Sequence, residues 1–194
     1  MEWYTRAAIK NNEYGYYALA EKLLIPSATI ENKRIGVMFM EEAATRGVAA
    51  AQYELAEQYS EGGVLASDAN EAKKWAERAA AQGYVPAFVK FGREAILRND
   101  FQMASEWFLK AANQDDAYAE LMVGIMYLTW KGFGKNLNKS KLWVQKSKME
   151  ANHKIQQRAQ LHKYFKTNKL DKVFGVFDSD SIDKLITEKV GEEK

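Results

Sequence analysis

Two stretches of this sequence, KKWAERAAAQG at residues 73–83 and SEWFLKAANQD at residues 105–115, place a tryptophan four residues before a pair of alanines. Related aromatic positions occur at Trp3, Phe39 and Trp143. The five aromatic residues are separated by 36, 36, 32 and 36 residues. A period in this range is typical of proteins built from repeated helix pairs. The sequence therefore predicts an array of small helical units.

A second set of positions repeats with the same spacing and tests the period independently. Each member is a large residue followed by a small one: Leu19 and Ala20, Leu55 and Ala56, Phe91 and Gly92, Val123 and Gly124. Each unit is thus predicted to contain a first helix with the large-small pair and a second helix with the aromatic residue. Small residues on one helix face let a neighbouring backbone approach closely. Glycine within a helix costs about 1 kcal/mol relative to alanine, so we attribute Gly92 and Gly124 to such close packing.

Capping residues and glycines predict where the second helices start and end. Good N-capping residues stand seven positions before four of the aromatic residues: Asn32, Asp68, Asp100 and Asn136. Gly47 and Gly83 are expected to take left-handed conformations after second helices, with Asn11 in that role after the first copy. Pro86 is expected to open a helix. Gly132, in a turn, is predicted to accept alanine at far lower cost than Gly124 accepts leucine.

These residues resemble the Sel-one-like repeat, a relative of the tetratricopeptide repeat. The match is fullest over residues 51–83 and extends over roughly residues 2–150. The resemblance implies an all-α fold, an α/α superhelix (solenoid) of about four helix-turn-helix repeats, which holds other proteins and has no shared active site. The third unit departs from the pattern because Arg98 and Asn99 lead directly to Asp100, without a glycine turn.

The organisation of the chain is predicted as two parts. Residues 1–152 form the repeat array, and residues 153–194 form capping helices and a tail. Gln160 stands where a repeat has glycine or alanine, so no further unit is expected to pack against this segment.

Composition excludes several classes of partner and cofactor. The formal net charge is +2 and no run of basic residues occurs, so no nucleic-acid partner is predicted. No apolar run approaches the length of a membrane span. The absence of cysteine excludes disulfides and thiolate metal sites. No cofactor is predicted, and the expected location is the cytoplasm, or the periplasm if a signal peptide was removed before residue 1.

Short motifs that suggest chemistry are isolated. Ser181 and Lys184 satisfy the S-x-x-K pattern of penicillin-recognising enzymes, but the S-D-N and K-T-G partners are missing. The stretch DSDSID at residues 178–183 lacks the glycine and the final glutamate of a calcium loop. His153 and His162 are nine residues apart, which does not place both on one helical face. We therefore predict no catalytic, metal or cofactor-binding residues and no enzymatic activity.

The first helices are predicted to line a concave groove, as in tetratricopeptide-like superhelices. The partner-binding residues predicted from matched register are Tyr17, Glu21, Tyr53, Glu54, Glu57, Val89, Lys90 and Arg93. An apolar end, formed by Leu121, Met122 and Ile125, is expected to be buried under the C-terminal extension. The tryptophans are predicted to be core residues. A solvated face is predicted for the lysines near the last second helix, with a protein contact beside Trp130 and Phe133 as the alternative. These lysines are Lys131, Lys135, Lys139, Lys141, Lys146 and Lys148.

The predicted function is a non-enzymatic protein–protein interaction module, an adaptor, scaffold or regulator that presents the groove to a partner protein. One alternative is a cognate immunity protein that neutralises a bacterial toxin or secreted effector. A lower-ranked alternative is a hydrolase of the penicillin-binding type, since some cysteine-rich relatives have been credited with binding such compounds. The lack of cysteine in this chain argues against that inheritance.

Overall fold

The computed structural model describes residues 12–129 and 131–148 of the 194-residue chain. The regular structure in these ranges is entirely α-helical: α1 (Glu13–Leu23), α2 (Ile30–Thr45), α3 (Ala49–Glu61), α4 (Ala69–Ala81), α5 (Val85–Leu97), α6 (Phe101–Ala112), α7 (Ala117–Thr129) and α8 (Leu137–Lys148). Within the same ranges, no helix combines the length and the apolar character needed to cross a membrane. The predicted copy at Trp3, the turn at Asn11 and the cap over residues 153–194 lie outside the described residues.

The helices alternate between the two predicted types. The large-small pairs fall on α1, α3, α5 and α7, and the aromatic positions fall on α2, α4, α6 and α8. The chain divides into two compact units, Met1–Ala87 and Phe88–Lys194, with the boundary inside α5. In the first unit each helix from α1 to α4 packs against the next, and in the second unit α7 packs against both α6 and α8. Short connections between packed neighbours make them antiparallel.

Two helical glycines lie where a neighbouring helix leaves no room for a side chain. A Cβ atom on Gly124 would lie 2.7 Å from Cγ2 of Val144 and 3.2 Å from the carbonyl oxygen of Ser140. A Cβ atom on Gly92 would lie 2.8 Å from the ring of Phe108. The prediction that these glycines permit close helix packing is confirmed.

The prediction for Gly132 is wrong. This residue has a φ of +80°, and a Cβ atom there would collide with the carbonyl oxygen of Phe101 and lie 2.7 Å from Cβ of Ser105. The Ser105 hydroxyl donates to the Gly132 carbonyl at 3.2 Å. The turn therefore packs against the start of α6. Alanine at position 132 would cause both backbone strain and a steric clash.

Three of the four predicted N-caps are confirmed. The Asp68 carboxylate accepts hydrogen bonds from two amides of the first turn of α4, and Asp100 and Asn136 each accept one in α6 and α8. Asn32 is not a cap, because α2 already begins at Ile30. The cap is Thr29, whose hydroxyl accepts from the Asn32 amide at 3.2 Å. A second capping residue three positions earlier lets the helix extend backwards by one turn.

Residues in the left-handed conformation follow several helices, and some of these residues are not glycine. Gly47 and Gly83 have φ values of +95° and +81°, as predicted. Asn99 and Asp115 take φ values of 59° and 60° at the ends of α5 and α6. Asn and Asp tolerate this conformation better than other side chains do. The third unit therefore makes a short turn without the glycine of its neighbours.

Tryptophans of the second helices are less buried than predicted. Trp75 is buried, but Trp107 and Trp143 are only partly so. In each case a cation three residues later lies over the ring, at centroid distances of 4.6 Å for Arg78, 4.1 Å for Lys110 and 5.2 Å for Lys146. Each ring therefore also binds a cation of its own helix.

A buried glutamine joins three helices of the first unit. The side-chain amide of Gln52, on α3, donates to the carbonyl oxygen of Ala44 near the end of α2 at 3.0 Å. Its side-chain oxygen accepts from the Gln82 side chain at 2.8 Å, just beyond α4. Both hydrogen-bonding ends of a buried polar side chain are therefore used.

Candidate functional site

The predicted groove residues all lie on first helices. Tyr17 and Glu21 are on α1, Tyr53, Glu54 and Glu57 are on α3, and Val89, Lys90 and Arg93 are on α5. Glu21 is exposed and the other seven are half-buried. The first five belong to the first compact unit and the last three to the second.

In the first unit a third tyrosine joins the predicted residues. The rings of Tyr53 and Tyr84 are tilted by 52° with centroids 5.6 Å apart. The Tyr17 hydroxyl donates to the Glu21 carboxylate, and the charges of Glu21 and Glu54 act on both Tyr17 and Tyr84. We call the resulting surface the tyrosine–glutamate face; it consists of Tyr17, Glu21, Tyr53, Glu54, Glu57 and Tyr84.

Burial and like charge both act on the carboxylates and phenols of this face. Burial raises the pKa of Glu54, and the negative charges of Glu57, Glu21 and Glu61 raise that pKa further. Burial is also the largest cause of the raised pKa of Tyr17 and of Tyr84, followed by the nearby carboxylates. The phenols therefore stay protonated and neutral, and the negative charge of this face lies on its carboxylates.

Glu54→Gln is expected to raise the melting temperature at neutral pH. A carboxyl whose pKa is raised in the folded state contributes stability only while it is protonated, and that contribution is lost as the pH rises through its folded-state pKa. Glutamine keeps the shape of the side chain and removes the charge. The gain over the wild type should disappear at a pH low enough to protonate the carboxyl in the unfolded state.

Thermal unfolding monitored by circular dichroism at both pH values measures this effect. Glu77→Gln is the matched control, because it makes the same charge change at an exposed site on α4 and should leave the melting temperature nearly unchanged. A neutral-pH melting temperature for Glu54→Gln below that of the wild type would contradict the assigned environment of Glu54.

The predicted residues of the second unit form a basic helix surface. The Lys90 ammonium lies 3.7 Å from the carboxylate of Glu94 one turn later on α5. The Arg93 guanidinium lies over the ring of Tyr118, 5.9 Å from its centroid. Tyr118 lies on α7, the next first helix, and is buried. The Arg93 guanidinium therefore lies over a ring that the core holds in place.

The apolar end predicted for the groove is buried, as expected. Leu121, Met122 and Ile125 have at most 1% of their surface exposed. Every residue of α7 from Ala117 to Met126 is buried. The expectation that the C-terminal extension covers them concerns residues outside the described ranges. These positions therefore offer no exposed surface to a partner.

An ion pair between a buried carboxylate and a partly exposed lysine in the second unit has no counterpart among the sequence predictions. The Glu120 carboxylate on α7 is fully buried, and Nζ of Lys146 on α8 lies 3.1 Å from its Oε1. The same ammonium lies 2.8 Å from Asp115 and donates to the Ala112 carbonyl at 3.3 Å. The Asp115 carboxylate, and to a smaller extent the Glu120 carboxylate, raise the pKa of Lys146, while burial opposes this shift.

The prediction of a solvated lysine face therefore does not hold for Lys146. Its ammonium connects α8 to the α6–α7 turn, and only part of the side chain reaches solvent. Glu120 occupies the register position that Gln52 holds in the earlier repeat. A polar residue at a buried register position was the available sequence signal for this pair.

In the part of the chain that the structure describes, no group of three or more metal-ligating side chains lies together. His153, His162 and the Ser181 motif lie outside the described residues.

Comparison with known proteins gives a family, a curated relative and solved structures of similar fold. A family model described as Sel1 repeat matches residues 1–12, 49–84, 90–116 and 117–152. An uncharacterized protein of Neisseria meningitidis serogroup B is 29% identical over 136 residues, which is 70% of this chain but 28% of that protein. This chain therefore spans well under two thirds of the length of that relative.

Two solved structures share the architecture. A protective antigen present in uropathogenic Escherichia coli strains, which displays an SLR fold, superimposes with a TM-score of 0.68 at 25% identity, covering 97% of this chain and 41% of the antigen. A Sel1 repeat protein from Oxalobacter formigenes superimposes with a TM-score of 0.71 at 19% identity, covering 100% of this chain and 78% of the other. The fold is accordingly an all-α helical-repeat solenoid.

Proposed function

Because the chain belongs to the Sel1 repeat family, we propose that it is a non-enzymatic adaptor that binds a partner protein through the first helices of its repeats. The family resemblance read from the sequence is confirmed. Sel1 repeat proteins are typically protein-interaction modules.

The tyrosine–glutamate face carries this proposal. Tyr17, Tyr53 and Tyr84 are half-buried, so each ring is held by the fold while part of its surface faces outward. Tyrosine is enriched at the energetic centres of protein interfaces because it supplies a large contact area with few rotatable bonds. Three such rings beside convergent carboxylates form a rigid, chemically distinctive surface.

The position of Glu54 supports the same assignment. A half-buried carboxylate among like charges lowers the stability of the fold relative to a neutral side chain. Residues that act against stability are expected at functional surfaces, where the fold tolerates a local cost for an interaction made later. Val89, Lys90 and Arg93 join the proposal because α5 presents them at the corresponding register of a first helix.

Site-specific photocrosslinking in the native cell tests the adaptor function. A benzophenone amino acid is placed at Glu57 or Val89, on first helices, and at Lys73 or Glu106, exposed on second helices. Crosslinks to one protein from the first-helix positions, and none from the controls, are expected. Crosslinks from the second-helix positions alone would show that the assigned surface is wrong. A toxin as the crosslinked protein would assign a neutralising role.

A further inference from the structure

We propose that the tyrosine–glutamate face receives an arginine side chain from an extended segment of the partner. This inference rests on the proposed function and specifies the chemistry that the face recognises. It follows from the charge of the face, from its rings, and from a related arrangement elsewhere in the first unit.

The charge around Glu54 favours a cation. Glu57 and Glu61 act on it from its own helix α3, and Glu21 acts on it from α1. Within the described residues, every charge acting on this carboxylate is negative. Tyr17 and Tyr84, on which the same carboxylates act, are neutral phenols. An incoming cation would therefore offset a repulsion that the folded chain already carries.

The rings favour a planar cation over a compact one. Tyr53 and Tyr84, with centroids 5.6 Å apart, form a tilted pair beside the carboxylates. Guanidinium groups stack on aromatic faces and bind carboxylates through two parallel hydrogen bonds, whereas ammonium groups are more strongly hydrated. An arginine can use a ring and a carboxylate of this face together.

The first unit already contains such an arrangement. The Arg46 guanidinium lies over the ring of Tyr16, 4.8 Å from its centroid. Its Nε donates to the Glu42 carboxylate at 2.6 Å. Tyr16, next to Tyr17 on α1, and Glu42 on α2 thus hold an arginine of the chain itself. Tyr17, with Glu21 and Glu54 around it, offers the same pair of groups to an arginine from outside.

A pair of peptides tests this proposal on the full chain. The probe is a fluorescein-labelled hexapeptide of alternating arginine and glycine, and its control has citrulline, which is neutral, in place of arginine. Fluorescence anisotropy at fixed ionic strength gives the dissociation constants. Loss of the charge should weaken binding by about tenfold or more, as expected for a charge pair at a shielded site.

Two variants locate the binding. Glu54→Gln should weaken arginine-peptide binding by about tenfold, while Glu77→Gln, with the same charge change on α4, should alter it by less than about twofold. Because Glu54→Gln is expected to be more stable than the wild type, lost binding in that variant cannot result from unfolding. Its melting temperature is measured in parallel.

Three results would overturn the inference: equal affinity for the arginine and citrulline peptides, equal losses in the two variants, or no measurable binding of the arginine peptide. The adaptor proposal fails separately. If Glu57 crosslinks to a protein while the arginine peptide does not bind, the surface is correctly assigned and the arginine chemistry is wrong.

Discussion

Gly124→Leu is expected to lower the free energy of unfolding by roughly 3 kcal/mol or more. A leucine side chain at this position would overlap the Val144 side chain and the backbone of Ser140 and Val144 on α8. A flexible side chain can move aside, but backbone atoms move only if the helix moves. The substitution therefore separates α7 from α8 along their contact.

Denaturant unfolding of the purified variant measures this loss. Gly134→Ala is the control, because a Cβ atom there meets nothing within 4 Å. The control should remain within about 0.5 kcal/mol of the wild type. Equal unfolding midpoints for the two variants would contradict the close-packing explanation of the small residues.

Lys146→Met is expected to destabilise the second unit by about 2–3 kcal/mol, because it leaves the buried Glu120 carboxylate without this ammonium. Methionine retains much of the apolar stem, so the main change is the lost charge. Lys146 is itself partly exposed, and water therefore replaces some of the lost interaction. For that reason we expect less than the full effect of breaking a deeply buried pair.

A double variant separates the charge effect from packing. Adding Glu120→Gln to Lys146→Met should recover part of the lost stability, because the buried charge is then removed as well. Lys141→Met, at an exposed position of the same helix, should be nearly neutral. If Lys146→Met and Lys141→Met unfold at the same denaturant concentration, the Glu120 pair contributes nothing to the fold.

The helical repeat could be predicted because its physical cause is visible in single residues. Close helix packing requires small residues at fixed spacing, and positions such as Gly92 and Gly124 repeat with the array. The caps Asp68 and Asp100 act within three residues of their own position. Size and short-range hydrogen bonding are properties that a local pattern retains.

Interactions between distant residues could not be predicted in this way. Gly132 meets the start of α6, some 30 residues earlier, and its own neighbours in sequence suggest only an open turn. Thr29 and Asn32 are both acceptable caps in a stretch that has lost the repeat pattern. The choice between them depends on how far back α2 continues.

In the candidate site, the register of the repeats predicts which side chains share a face of the first helices. It predicts nothing about side chains in the turns. Tyr17, Glu21, Tyr53, Glu54 and Glu57 lie on first-helix faces as expected, and their role in binding stays a prediction. Tyr84 precedes α5, where no period predicts side-chain direction, so it was missed. The pairing of Glu120 with Lys146 likewise depends on the helix pair α7–α8.

Gln52 determines how the first unit can be dissected. A fragment beginning in the turn before α3 would contain a complete repeat by sequence, but it would lack the Ala44 carbonyl to which the Gln52 side chain donates. The buried amide would then lose a partner that belongs to the preceding repeat. Shortened or permuted forms of this protein are better cut where no buried side chain bonds across the junction than at the boundaries of the sequence repeat.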